Sequence, residues 1–205
     1  KSGNSVSLSA DGTIVAIGAH MHDGGKGRTR IYQYSSNNTW SQLGQDLLGG
    51  DGDQSGVSVS LSADGLTIAI GASKHDADGG NNHGRTRIWK YSGSTWSSID
   101  NEGIVGDPGD ESGYSVSLSA DGTIVAIGAH NHDNQKGRTR IYQYSSNGWS
   151  QLGQDLLGDP GDYSGWSVSL SADGTIVAIG AYDHDQGRTR IYQYSSNTWI
   201  QLGQD

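Results

Sequence analysis

The sequence predicts an all-β protein, a β-propeller of four tandem four-stranded antiparallel blades, and three observations carry that reading. One string is written four times: "SLSADGTIVAIGAHMHDGGKGRTRIYQY" at residues 7–34 returns almost unchanged at 117–144, with altered copies at 60–91 and 169–194. The Asp-Gly turn inside it, at Asp11, Asp64, Asp121 and Asp173, recurs 53, 57 and 52 residues apart, which suits a blade and is too long for one coil of a β-helix. The composition has 33 Gly and neither Phe nor Cys, and its apolar residues come in short bursts between Gly, Asp, Asn and Ser, as in short strands joined by tight turns.

Each repeat reads as four strands in order. "SVSLS", as at Ser5 to Ser9, alternates and forms the first strand. "ADG" follows as a tight turn in which Gly supplies the positive φ. The second strand, "TIVAIGA" at Thr13 to Ala19, is apolar on both alternating sets, so both of its faces are expected to be covered. A polar loop of variable length leads to the third strand, "RTRIYQY" at Arg28 to Tyr34. The longest version, "HDADGGNNHG", marks this loop as a surface segment. "SSN" then turns the chain into a fourth strand anchored by Trp40, Trp96, Trp149 or Trp199, and "LLGDPGD" leads to the next repeat. Sheets stacked face to face around an axis explain a strand with no polar side.

The chain is expected to form a single domain over residues 1–205, with blades at about 1–50, 51–106, 107–158 and 159–205. Four whole repeats fit a closed four-bladed ring or a slice of a longer array. The ring is favoured, because an open array leaves two apolar blade faces bare. Lys1 in place of an initiator Met reads as a cut end.

The net charge of −9 argues against a nucleic-acid partner, which needs a basic field. It suits cations, basic partners or neutral sugars. No apolar run reaches the roughly 18 residues of a membrane helix, so no membrane insertion is expected. Without Cys there are no disulfides and no thiol chemistry.

The pattern "SGxSVSLSADGxxxAIGA…D…GRxRIYxY…W" resembles the FG-GAP repeat of integrin-like β-propellers, and more closely the degenerate SG-x-SV-x-LS-x-DG repeats of microbial and algal extracellular proteins. The resemblance covers all four repeats and implies an extracellular or cell-surface propeller with its ligand side at the loop face. It departs from the family where Phe-Gly becomes Ser2-Gly3, Ser55-Gly56, Ser112-Gly113 and Ser164-Gly165, and where Gly-Ala-Pro becomes Gly-Ala followed by His20, Ser73, His130 or Tyr182. The calcium loop of family members is reduced here to "ADG". One carboxylate cannot supply the six to eight oxygens that calcium takes, so Asp11, Asp64, Asp121 and Asp173 are expected to hold turns.

Alternation places the "ADG" and "SSN" turns on one end of the propeller and the loops and linkers on the other. The second end gathers the charge and the His residues. Every repeat keeps a His-Asp pair there: His22-Asp23, His75-Asp76, His132-Asp133 and His184-Asp185. These pairs are the candidate ligand-binding residues, together with Tyr114 and Trp166 at a variable position that is Asn4 and Val57 in the other repeats, expected at the channel mouth. Two repeats add a second His. His20 with His22, and His130 with His132, stand at i and i+2, on one side of an extended chain, and form a candidate chelate for a divalent metal; otherwise no cofactor is expected. The paired arginines of "GRTR", Arg28 and Arg30, Arg85 and Arg87, Arg138 and Arg140, Arg188 and Arg190, are expected to cross-link blades by pairing with loop or linker Asp.

No Gly-rich phosphate loop and no Gly-x-Ser-x-Gly elbow is present. Four equal His-Asp copies suit a scaffold better than one activated centre. The sequence therefore predicts a non-enzymatic extracellular module for adhesion, assembly or ligand binding through its acidic, His-bearing loop face. The alternative is a small multivalent lectin with one weak site per blade, in the clefts between blades. The expected partner is a protein or glycan at an extracellular surface, or a second copy of the protein in self-assembly. The sequon Asn37-Asn38-Thr39 is compatible with secretion.

Overall fold

A computed structural model describes residues 1–77, 79–100, 102–183 and 187–204. The chain forms four antiparallel sheets in sequence order, one per repeat, each a meander of four strands. Blade 1 comprises Ser5–Leu8, Ile14–Gly18, Arg28–Tyr34 and Trp40–Gln42. Blade 2 comprises Ser58–Leu61, Thr67–Ala72, Arg85–Ser92 and Thr95–Ser98. Blade 3 comprises Ser115–Leu118, Ile124–Ala129, Arg138–Ser145 and Gly148–Gln151. Blade 4 comprises Ser164–Leu170, Ile176–Ala181, Arg188–Ser195 and Thr198–Leu202. In blades 1 to 3 a two-residue linker strand, such as Leu47–Leu48, adds to the third strand before the chain crosses to the next blade.

The turns form as the sequence requires. Asp11 accepts hydrogen bonds from Ser9 Oγ at 2.6 Å and from the Thr13 amide at 2.9 Å. Asp64, Asp121 and Asp173 repeat the Ser contact at 2.6 Å. Each carboxylate closes its own hairpin. The Ser9 hydroxyl, ahead of the Thr13 amide, holds the Asp11 carboxyl below the usual carboxylate range.

The core is three separate cores, one in each joint between neighbouring blades. The first packs Ile14, Ala16 and Ile31 of blade 1 against Val59, Leu61, Ile68, Ile70 and Trp96 of blade 2. The second joins Ala69 and Ile88 to Val116, Leu118, Val125 and Ile127. The third joins Ile124, Ala126 and Ile141 to Val177, Ile179 and Trp199. Alternation along each strand sends one apolar set forward into the next joint and the other back into the previous one.

Polar contacts stitch the same joints. Ser7 Oγ accepts from the Leu61 amide at 3.0 Å, Ser60 Oγ from Leu118 at 2.9 Å, and Ser117 Oγ from Leu170 at 2.9 Å. The "ADG" turns form a ladder from Ala10 N to Ala63 O, Ala63 N to Ala120 O, and Ala120 N to Ala172 O. Gly71 faces the Gly113 carbonyl so closely that a Cβ there would lie 1.9 Å from its oxygen; Gly18 and Gly128 are in the same position. Only glycine lets the two backbones approach this far.

The expected closed ring does not form. Among the described residues no hydrogen bond joins blade 4 to blade 1. The second strands of blades 2 and 3 are buried along their whole length, whereas those of blades 1 and 4 are buried only at alternate residues. Leu8 is 60% exposed where Leu61 is 7% exposed, and Ile191 is 42% exposed where its counterparts Ile31, Ile88 and Ile141 are fully buried. Four blades at this bend make an open arc.

Candidate functional site

The loops and linkers meet at one end of the arc, as alternation predicts. There the linker aspartates reach across each joint. Asp53, ahead of blade 2, lies 2.9 Å from His75 Nδ1 and accepts from Arg85 at 3.0 Å. Asp110, ahead of blade 3, lies 2.7 Å from His132 Nδ1 and accepts from Arg138. Asp162 pairs with Arg188 of blade 4. Asp53, Asp110 and Asp162 are all buried. Buried carboxylates need such partners, so Arg85, Arg138 and Arg188, with His75 and His132, are taken up in holding the linkers to the blades that follow. The second Arg of blades 1 and 3 also holds its own blade, Arg30 donating to Asp46 at 2.8 Å and Arg140 to Asp155 at 3.1 Å, while Arg140 and Arg190 reach the linker acids Asp107 and Asp159 at 3.2 and 2.9 Å.

A second set of acids is more exposed, each paired with a basic side chain: Asp23 and Asp51 with Lys26, Asp133 with Lys136, Asp107 with Arg138 and Asp159 with Arg188. Asp51 is almost fully exposed, and Asp23, Asp107, Asp133 and Asp159 are at least half exposed. They form a rim along the arc. Arg138, hydrogen bonded to Asp107, holds that carboxyl below its usual range. Asp76 accepts from the Asn82 amide at 2.6 Å and caps its loop. The pair His184-Asp185 lies outside the described residues.

The two candidate His chelates need correction in their geometry. Met21, between His20 and His22, has φ −91° and ψ 11°, and Asn131, between His130 and His132, has φ −93° and ψ 0°. The chain turns there and is not extended, so the i, i+2 rule does not bring the rings together. His132 points to Asp110. His130 packs among aromatic rings, 4.1 Å from Tyr114 and 5.1 Å from Trp166 between centroids. Burial pushes the His130 imidazole below its ordinary value and the Tyr114 phenol above its own. Among the described residues, Asp107, Asp110 and His132 form a group of three with potential ligand atoms within 4.8 Å of one another. Arg138 already neutralises the two carboxylates.

Tyr114 and Trp166, 4.8 Å apart, begin the inner strands of blades 3 and 4, and Trp166 stacks on the exposed Tyr182 at 4.6 Å. They form one aromatic cluster with His130 and Tyr163.

A further feature escaped sequence reasoning. In the first and third joints a Gln fills the groove beside the fourth-strand Trp. Gln45 donates to Trp96 O at 2.7 Å and accepts from its amide at 3.0 Å, while Trp96 Nε1 donates to Leu43 O at 2.8 Å. Gln154 and Trp199 repeat these contacts. The middle joint lacks this clasp. Asp100 folds back onto its own blade, accepting from Ser98 Oγ at 2.5 Å and from the Ile88 amide. Trp149 Nε1 is buried without a partner among the described residues, and a 680 Å³ cleft opens beside Asp100, Tyr142, Tyr144, Asn147 and Trp149. The signal was present: blade 2 reads "SSIDNEG" where the others read "QLGQD".

No protein-family model matches the chain, and no curated protein matches it. Solved structures do. The periplasmic gluconolactonase PpgL of Pseudomonas aeruginosa aligns over 97% of this chain and 56% of its own, at 14% identity and TM-score 0.60. The β-propeller domain of the Trilobed protease of Pyrococcus furiosus aligns over 97% and 56%, at 11% identity and TM-score 0.56. TolB of Acinetobacter baumannii aligns over 97% and 42%, at 14% identity and TM-score 0.55. The chain therefore spans less than two thirds of each of these structures. At such identities the likeness is one of fold: the protein is a β-propeller module built of tandem repeats. It does not extend to the FG-GAP type, which stands on the quoted motifs alone.

The comparison also corrects the expectation of a non-enzymatic protein. A gluconolactonase carries this fold, so a propeller of equal repeats does not exclude an enzyme, and enzyme status is unresolved. Among the described residues no helix is long and apolar enough to cross a membrane.

Proposed function

We propose that the chain is the propeller module of an extracellular or cell-surface protein and binds a basic protein partner, for adhesion or assembly, through its acidic loop face. The supporting observation is the difference in exposure among the linker acids. Asp53, Asp110 and Asp162 are buried in the joints, while Asp51, Asp107 and Asp159 of the same linkers keep at least half of their surface exposed, beside Lys26, Arg138 and Arg188 respectively. An acid rim repeated along an arc, on a chain of net charge −9, steers and orients a basic surface. Titration with Lys-rich peptides tests this. Binding is expected, weakening as salt is added and again in the triple variant Asp51→Asn, Asp107→Asn, Asp159→Asn. Binding that ignores both changes contradicts the proposal.

A second reading, a carbohydrate-binding propeller, draws on the cleft of the middle joint. A volume of 680 Å³ falls in the range of ligand pockets. An unpartnered indole N–H beside two tyrosine rings offers one directed hydrogen bond and flat apolar faces, which suit a neutral sugar. The site count is then one per chain, because the other two joints close this groove with Gln45 and Gln154. A glycan array separates the readings. Sugar binding lost on Trp149→Phe, which keeps the ring and removes the N–H, supports this reading; no bound sugar removes it.

A further inference from the structure

Two of the three joints are closed by one and the same segment: residues 41–47 and 150–156 both read "SQLGQDL". In each joint the segment bridges two blades. Its second Gln takes both main-chain groups of the Trp on the next blade, Gln45 at Trp96 and Gln154 at Trp199. Its Leu carbonyl accepts from the indole N–H of that Trp. Its Gly lies against the ring, so close that a Cβ on Gly44 would come within 2.6 Å of Trp96 Cδ1 and one on Gly153 within 2.7 Å of Trp199 Cδ1. Its Asp turns back to the third strand of the preceding blade, Asp46 to Arg30 and Asp155 to Arg140.

The middle joint lacks the segment and keeps its receivers. The Ile99 amide bonds Ile88 O as the Leu43 and Leu152 amides bond Ile31 O and Ile141 O, so Asp100 stands where Gly44 and Gly153 stand. A side chain has no room against the ring at that position, and Asp100 instead accepts from Ser98 Oγ and the Ile88 amide. Trp149 lies opposite Tyr144 as Trp96 lies opposite Tyr91, so its main-chain N–H and C=O face the joint, and among the described residues nothing clasps them. Its Nε1 is buried without a partner. Arg87, the counterpart of Arg30 and Arg140, has no acidic partner among the described residues; its Nε is buried without an acceptor and its guanidinium sits 4.5 Å over the Trp89 ring. On blade 3, Gly148 replaces the Thr of Thr39, Thr95 and Thr198 and removes a side chain from the edge of the cleft. Changes on two different blades therefore open the same 680 Å³ space.

We propose that the middle joint is a receptor for a Leu-Gly-Gln-Asp segment of a partner protein, which occupies it as residues 43–46 and 152–155 occupy the other two joints. The glutamine carboxamide is the group the site selects. It donates and accepts at once, matching the C=O and N–H of Trp149, whereas a carboxylate only accepts. The Leu carbonyl takes the indole proton of Trp149, and the Gly lets the ligand backbone lie on the ring. The Asp pairs with Arg87 by a charge-assisted hydrogen bond. A buried donor left unmade costs free energy, which a ligand with the right acceptor recovers. The inference rests on neither reading given above. It uses no acid of the rim, and in place of a sugar it puts the ligand whose fit to this groove the chain itself displays twice.

The test titrates the capped peptide SQLGQDL into the isotope-labelled whole chain and follows the tryptophan signals by NMR. The peptide is negatively charged, so the acidic rim does not attract it. Binding is expected to saturate at one peptide per chain, with a Kd below about 1 mM. It is expected to move the indole and main-chain signals of Trp149 and to leave those of Trp96 and Trp199, whose grooves are already filled. A peptide with Glu in place of the second Gln is expected to bind at least about tenfold more weakly. A peptide with Asn in place of the Asp is expected to bind about two- to fivefold more weakly. Replacing residues 98–103, "SIDNEG", by "QLGQD" writes the closing segment into blade 2 and is expected to abolish binding. The Glu peptide decides the question on the unaltered chain should that replacement not fold. No saturation up to about 1 mM overturns the proposal, as do shifts centred away from Trp149, equal affinity for the Glu peptide, and binding that survives in a folded replacement. Glycan binding at Trp149 in a chain that ignores the peptide gives the cleft to the carbohydrate reading and overturns this one.

Discussion

Blades 2 and 3 differ from blades 1 and 4 although the text of the repeats is nearly the same. Blade 3 and blade 1 share the string "TIVAIGAH", yet in blade 3 the strand Ile124–Ala129 is buried on both sides and in blade 1 Ile14–Gly18 is buried on one. A blade is therefore half of two joints, and its stability depends on how many of them are made. Repeat proteins follow this additive logic of units and nearest-neighbour interfaces.

The sharpest way to break the comparison is to truncate the same Trp in both settings, using dilute protein. Trp96→Ala removes a side chain buried in a joint and clasped by Gln45, and is expected to cost about 3–5 kcal/mol. Trp40→Ala removes a half-exposed ring that touches Tyr34 at 5.2 Å and is expected to cost about 0.5–1.5 kcal/mol. Denaturant midpoints check the pair, and equal losses would mean that the ends are as well packed as the joints.

The second comparison uses glycine. Gly71→Ala drives a Cβ into the Gly113 carbonyl and is expected to cost about 1–3 kcal/mol or more, because backbone must move. Gly180→Ala is expected to stay within about 0.5 kcal/mol. Thermal melts of the two variants read the difference.

The smallest effect is a pH dependence. Burial lowers the folded pKa of His130 and, in blade 1, of His20. The unfolded chain takes up a proton near the ordinary value of 6.5 that the folded chain takes up only at lower pH. Stability from this source is full above that value and falls as pH drops through it toward the folded value. Melting temperature is expected to decline from pH 7 to pH 5, less steeply in His130→Phe. His20→Phe is expected to flatten the decline less, since His20 sits on the half-covered blade. A steeper decline in His130→Phe would reverse the sign and contradict the assignment.

The sequence disclosed whatever depends on a single repeat. Asp11 and its counterparts were legible as turn residues because the Asp-Gly pair and the flanking Ser and Thr carry the hydrogen bonds themselves. The Arg–Asp pairing was legible from alternation and charge, although which linker Asp takes part depends on the linker bend: Asp53 binds Arg85 in the first joint, whereas Asp107 and Asp110 share Arg138 and Asp159 and Asp162 share Arg188. Closure was illegible. The bend of the arc is a sum of small angles, and a terminal repeat is spelled like an internal one. The His pairs misled because the residue between them leaves the extended region, so a rule of strands was applied to a turn. The open middle joint was written in "SSIDNEG", but its meaning depends on the Gln–Trp clasp that the other joints make, which only coordinates display.

Residue-resolved amide hydrogen exchange, on protein dilute enough to be single, measures most directly whether each joint is a separate source of stability. The first-strand amides of Leu61, Leu118 and Leu170, each held by a serine of the preceding blade, are expected to be far better protected than that of Leu8, with blades 2 and 3 slowest throughout. Equal protection of Leu8 and Leu61 would contradict the dependence of a blade on its neighbours.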